Sequence, residues 1–167
     1  MILNSALTID SNENAGHLHD RLMYLGSETV IKTLALIAEE KVNLTIQTEN
    51  PDIKTAYKLN KENCKIDWTQ SATTIHNLIR GLSPYPTAWC YFSDKTEEWS
   101  VKIYEACLLL ESHNIEIGTI VSTKKELKIA VKDGFIQVLS LQFPGKKRML
   151  TPELLNGLTF TADAKAY

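Results

Sequence analysis

The chain has 167 residues, 44% hydrophobic and 23% charged, the usage of an ordinary globular chain and not of a disordered polyelectrolyte. Eighteen Lys+Arg against 20 Asp+Glu leave a formal net charge of −2, so the whole molecule is not a polycation. No apolar run approaches the roughly 20 residues of a membrane span, the start has no basic region of a secretory signal, and Cys64, Cys90 and Cys107 form no CxxC pair, which together point to a reducing cytoplasm.

Leu3 to Ile9 alternates weakly and suggests a short strand. Asn12 or Asn14 can cap a helix from about Ala15 to Leu25 that Gly26 ends, and Ser27 can cap a second helix to about Lys41. Val30, Ile31, Leu34, Ile37 and Ala38 fall at helical spacing, so the second helix has an apolar face that two short helices cannot cover alone. From Val42 the pattern breaks down into a polar stretch containing Pro51, which marks a linker.

Beyond it, Trp68, Ala72, Ile75, Ile79 and Leu82 predict a helix capped by Asp67 or Thr69 and stopped by Ser83-Pro84-Tyr85-Pro86. Strands are expected over Ala88–Phe92, Val101–Leu109 (inward face Val101, Ile103, Cys107 and Leu109), Glu116–Ser122, Leu127–Val131 and Phe135–Phe143. Asp133-Gly134 reads as the hairpin turn between the last two. A short helix follows, with Thr151 as its cap, Pro152 at its first position and Gly157 after its end. The expected fold is therefore α+β: an OB-like Greek-key β-barrel with an inserted helix, preceded by a helical arm. Residues 1–41 form the arm, 42–65 the linker and 66–167 the barrel domain.

A catalytic inventory finds no site. The seven glycines never fall at GxG spacing. His17 and His19 point about 200° apart on a helix and make a poor metal pair. His76, beside Arg80 one turn on, reads as solvated or RNA-facing, and His113 as a turn residue. Glu39-Glu40 and Glu97-Glu98 are consecutive, so their carboxylates diverge, and no sequence-local partner activates a cysteine. No catalytic residue and no metal site is assigned.

Binding is better represented. Residues 124–167 carry eight basic side chains (Lys124, Lys125, Lys128, Lys132, Lys146, Lys147, Arg148 and Lys165) against four acidic ones, a net of +4. Gly145-Lys146-Lys147-Arg148 lies between the last long strand and the last helix, where its charges can reach phosphates. Lys58, Lys61 and Lys65 would align if that piece were helical, and Lys128 and Lys132 share the polar face of one strand. Tyr85, Trp89, Tyr91, Trp99 and Tyr104 are available either for stacking on bases or for the core.

In order along the chain, Ala56-Tyr57-Lys58-Leu59-Asn60-Lys61-Glu62, Ile66-Asp67-Trp68, Ile79-Arg80-Gly81, Pro84-Tyr85-Pro86-Thr87-Ala88-Trp89, Leu141-Gln142-Phe143-Pro144-Gly145-Lys146-Lys147 and Leu154-Leu155-Asn156-Gly157 resemble the methionyl-tRNA formyltransferase family. The resemblance implies the family's OB-like C-terminal barrel, joined by a basic linker to a Rossmann-like catalytic domain of which residues 1–41 would be the tail. The family's catalytic Asn, His and Asp and its folate pocket have no counterpart here. The chain is therefore expected to be an inactive C-terminal fragment that binds no cofactor itself, with 10-formyltetrahydrofolate as co-substrate of the full enzyme. The implied partners are initiator methionyl-tRNA, in translation initiation, and the missing catalytic domain; no membrane is involved, and the 15–41 arm invites non-native self-association. Lys58, Lys61, Lys146 and Lys147 carry over as phosphate contacts, and the charge map adds Arg148, Lys128 and Lys132. Tyr85 stands where the family often has Trp. The alternatives are a bracing domain of a nucleotide-sugar formyltransferase and a free-standing RNA-binding module.

Overall fold

Asn14 sets the start of the first helix: its side chain accepts from the His17 backbone N–H at 2.9 Å, satisfying a donor that the helix leaves unpaired. The computed structural model describes residues 1–47 and 54–167, so Pro51 and part of the expected linker lie outside the described residues. The chain divides into two compact units, Met1–Lys58 and Leu59–Tyr167.

In the first unit, α1 (Ala15–Ala38) is one continuous helix and not the expected two. A lone glycine in a helix costs about 1 kcal/mol against alanine and need not end it, and the Ser27 hydroxyl bonds back to Tyr24 O at 2.7 Å instead of capping. Arg21 grips both Glu13 oxygens, at 2.8 and 2.7 Å, and this hydrogen bond holds the Glu13 carboxyl below the usual carboxylate range. Leu3–Ile9 is not a strand, although Thr45 N–H donates to Met1 O at 2.9 Å. No residue of α1 is buried, and Val30, Ile31, Leu34 and Ile37 stay exposed. No described helix is long and apolar enough to cross a membrane.

The second unit begins with a turn in place of the basic helix that would have aligned Lys61 with Lys65. Asp67 folds its carboxylate back onto Thr69 N–H at 3.0 Å and Gln70 Nε2 at 2.8 Å, a local turn that delays the next helix. Accordingly α2 spans Ala72–Leu82 with Ser71 as its cap, while Trp68 is buried ahead of it. The Asp133 carboxylate accepts from Ala72 N–H at 2.7 Å, fastening the start of α2 to a distant hairpin turn. His76 corrects the sequence reading: it is only 8% exposed, because α2 packs on three strands and buries more than its narrow apolar stripe.

The strands are β1 (Ala88–Asp94), β2 (Glu97–Leu109), β3 (Ile120–Ser122), β4 (Leu127–Val131), β5 (Gly134–Gln142), β6 (Met149–Leu150) and β7 (Lys165–Ala166), with α3 (Thr151–Leu155) after β6. One sheet runs β3-β4-β5-β2-β1-β7, with β6 on β5, so the β2–β3 connection crosses two strands. It nearly closes into a barrel: Ala166 N–H donates to Gly118 O at 2.7 Å and Ile120 N–H to Ala164 O at 2.9 Å. Phe92, Ile103, Leu127, Ile129, Ile136, Val138 and Leu141 fill the interior. The mixed α+β barrel, its preceding helix and the helical arm are thus all present, while β3 is shorter than expected.

Two further expectations change. Ladder irregularities around Tyr104 and Glu105 shift the inward face of β2 from Val101 and Ile103 to Ala106 and Leu108, not to Cys107 and Leu109. Thr151 does not cap α3 but is its first residue, its hydroxyl donating to Val138 O at 2.6 Å.

Candidate nucleic-acid interface

The ladder register places Trp89 opposite Lys102 and Lys102 opposite Gln142, a row across the outer face of β1, β2 and β5. With neighbouring strands about 4.8 Å apart, this row floors an open groove of about 590 Å³. Each end of the floor holds one wall. Trp89 Nε1–H donates to Lys61 O at 2.7 Å, and Gln142 Nε2–H donates to Lys146 O at 2.8 Å while its Oε1 accepts from Tyr104 at 2.8 Å. The expected Lys61 and Gly145, where the Gly145-Lys146-Lys147 loop begins, therefore border one cleft, although the sequence separates them widely, while Lys146 lines a neighbouring groove.

Among the described residues, the charged side chains lining this groove are Lys61 and Lys102, and no acidic side chain lines it. Two other grooves of the barrel differ: one is lined by Glu62 and Asp67 beside Lys65, the other by Glu97 and Glu153 beside Lys146. Cys64 also lines the positive groove, but burial raises its thiol pKa, and burial raises that of Cys90 still further. Neither is poised as a nucleophile. Among the described residues no three His, Cys, Asp or Glu side chains gather as a metal site would require.

The remaining basic residues scatter. Arg148 donates to Ser140 Oγ at 2.8 Å, pairs with Glu105 and lies 4.7 Å from the Tyr104 ring, so it braces the irregular stretch of β2 and β5. Lys65 sits over Tyr91 at 5.2 Å and near Tyr167 and Trp89 at 5.8 Å. Lys128 pairs with Glu126 at 3.7 Å, and Lys132 lies in the β4–β5 turn beyond the strand, not beside Lys128 on one strand face. The length of β5, at about 3.3 Å per residue, separates that turn from the Lys146 loop, so Lys132 and Lys146 occupy opposite ends of the strand. Lys58 is exposed and belongs to the first unit.

The aromatic residues sort as clearly. Trp99 packs on Phe143 and Phe160, Tyr104 is held by Gln142, and Trp89 and Tyr91 meet edge to face at 5.2 Å. Tyr85, in contrast, is 86% exposed at the rim of the groove. Lys102 and Gln142 were not legible as site residues: each is an isolated polar position in a strand, and the register between distant strands alone brings them together.

Residues 58–159 match the family model described as formyl transferase, C-terminal domain. The chain is 66% identical over 167 residues to the methionyl-tRNA formyltransferase of Flavobacterium johnsoniae, covering 100% of this chain and 53% of that protein. It is 42% identical over 162 residues to the protein of the same name from Bacteroides thetaiotaomicron, covering 94% and 50%. The chain thus spans about half the length of the curated relatives it matches. Among solved structures, HypX from Aquifex aeolicus aligns with a TM-score of 0.55 at 18% identity, over 80% of this chain and 24% of that one. WlaRD, a sugar 3N-formyl transferase, aligns at 0.53 and 22%, over 84% and 48%. At these identities the two structures show a shared fold.

Proposed function

The chain belongs to the formyl transferase family through its C-terminal domain, and from that premise we propose that it is the tRNA-holding part of a methionyl-tRNA formyltransferase. On this reading the complete enzyme formylates initiator methionyl-tRNA with 10-formyltetrahydrofolate for translation initiation, in the cytoplasm. Transfer of the formyl group is the work of the part of the enzyme outside this chain. The arm, linker and barrel hold the tRNA while that chemistry proceeds.

The observation that carries the reading is the groove lined by Lys61, Lys102 and Gly145, the first residue of the Gly145-Lys146-Lys147 loop, with no acidic lining among the described residues. Lysine ammonium groups act as point charges toward phosphate oxygens, and each phosphate they neutralise releases condensed counterions. Lys61, Lys146 and Lys147 supply these contacts from the barrel and Lys58 from the first unit, with Lys128 and Lys132 as outlying contacts. Arg148 contributes by holding the strands beneath the loop.

The test is a titration of the 167-residue chain with initiator tRNA between 50 and 200 mM salt. We expect affinity to fall steeply with salt, and replacement of Lys61, Lys146 and Lys147 by alanine to weaken binding and flatten the salt dependence by about 0.7–0.9 log units per lost phosphate contact. Unchanged binding in the triple variant would refute the site. Absence of tRNA binding would favour a bracing role, and formyl transfer by this chain alone would overturn the division of labour.

A further inference from the structure

We propose that the groove takes an unpaired nucleotide of the bound RNA, with its base stacked on Tyr85 and its flanking phosphates met by Lys61 and Lys102. This rests on the tRNA-binding reading and deepens it, because that reading alone requires only backbone contacts to folded tRNA.

Three features favour an unpaired nucleotide over a double helix. First, the groove is an open cleft of about 590 Å³, within the ~300–1,000 Å³ size of small-ligand clefts. Second, Tyr85 is held out as a platform. Prolines on both sides fix φ next to it, Thr87 Oγ1–H donates to Pro84 O at 2.7 Å, and Thr87 N–H donates to Leu82 O at 2.9 Å. The loop closes on itself and leaves the ring 86% exposed at the rim. Bases in a duplex are already stacked on one another and offer no face to such a ring, whereas an unpaired base does. Third, the charge is placed for a single strand. Lys61 stands on the wall and Lys102 on the floor, opposite Trp89 in the ladder. Lys61 also lies 4.9 Å over the Trp89 ring, so that indole already has a cation against it and Tyr85 is left as the stacking surface.

The Gln142 amide is engaged at both ends, by Tyr104 and by the Lys146 carbonyl, so the floor supplies rigidity more than readout. The ligand class is therefore an unpaired ribonucleotide within a strand, recognised by ring face and phosphate.

The experiment titrates the full chain with an unstructured five-nucleotide RNA, a duplex RNA of equal phosphate count and initiator tRNA. The variants are Tyr85→Ala, Tyr85→Phe and Lys102→Gln. We expect the single strand to bind more tightly than the duplex. Tyr85→Ala should lose about tenfold or more on the single strand and little on the duplex, Tyr85→Phe should retain binding, and Lys102→Gln should weaken it and lower the salt slope. Because Tyr85 is so exposed, its variants should melt like the parent. Equal affinity for both RNAs, an unaffected Tyr85→Ala, or a Tyr85→Phe as weak as Tyr85→Ala would each overturn the proposal. If initiator tRNA still binds in a salt-dependent way in any of these cases, the functional reading stands and this inference alone falls. Failure of the parent chain to bind any tRNA removes the functional reading itself.

Discussion

His76 joins a titratable ring to a buried helix face. Loss of solvent, and next the positive charge of Arg80, hold its imidazole below the ordinary histidine range, against a backbone contact at Ala106 that favours the proton. The unfolded chain takes up that proton near pH ~6.5, so below this value the unfolded state binds more protons than the native one. Stability is therefore undiminished above neutral pH, falls as pH drops through the ordinary histidine range, and levels off below the lowered native value. His76→Gln should reduce the drop in melting temperature between pH 7 and pH 5; an equal drop in parent and variant would show that His76 does not set it. The burial of His76 was not legible in the sequence because it depends on how many strands the helix meets. The partners of Arg148 were not legible for a related reason: it follows two lysines in a basic run, but Glu105 and Ser140 come from distant strands.

Among the elements, the two hairpin residues Asp133 and Gly134 do more than turn the chain. The Asp133 carboxylate caps α2 from another element, so Asp133→Ala should cost about 1 kcal/mol by denaturant titration, and Asp133→Asn, which keeps an acceptor, should cost less. Gly134 stands where an added Cβ would lie 2.0 Å from Leu109 O on β2. Gly118 stands where one would lie 2.5 Å from Ala166 O, at the contact that closes the barrel. Gly134→Ala and Gly118→Ala should each destabilise by about 2 kcal/mol or more, while Gly26→Ala, with no neighbour within 4 Å of its Cβ, should be neutral or stabilising in the same titration. The period-2 pattern located β4 and the turn after it because those residues alternate without interruption. It failed past Ile103, where the ladder irregularity moves the inward face by one residue, a feature that only the partner strand β5 reveals.

At the scale of the whole molecule, the sequence separated a helical arm from a barrel correctly in kind, since apolar spacing of 3.6 and of 2 are distinct signals. The candidate groove was half legible. Lysines near a turn announce themselves by type and spacing, whereas the groove that brings Lys61 together with Lys102 and Gly145 depends on cross-strand register between β1, β2 and β5. The same register yields a prediction about autonomy. The barrel core draws its members from Cys64 to Ala166, and the groove is lined from Leu59 to Gly145, so core and groove both lie within Leu59–Tyr167. A chain comprising Leu59–Tyr167 should therefore unfold cooperatively with nearly the parent's denaturant midpoint for the barrel. It should also keep binding the unstructured five-nucleotide RNA, because Tyr85, Lys61 and Lys102 all remain. Against initiator tRNA its salt slope should be shallower than the parent's, by about 0.9 for each phosphate that Lys58 neutralises. Loss of the cooperative transition would show that the first unit completes the barrel. An unchanged tRNA slope would remove Lys58 from the interface and confine recognition to the barrel.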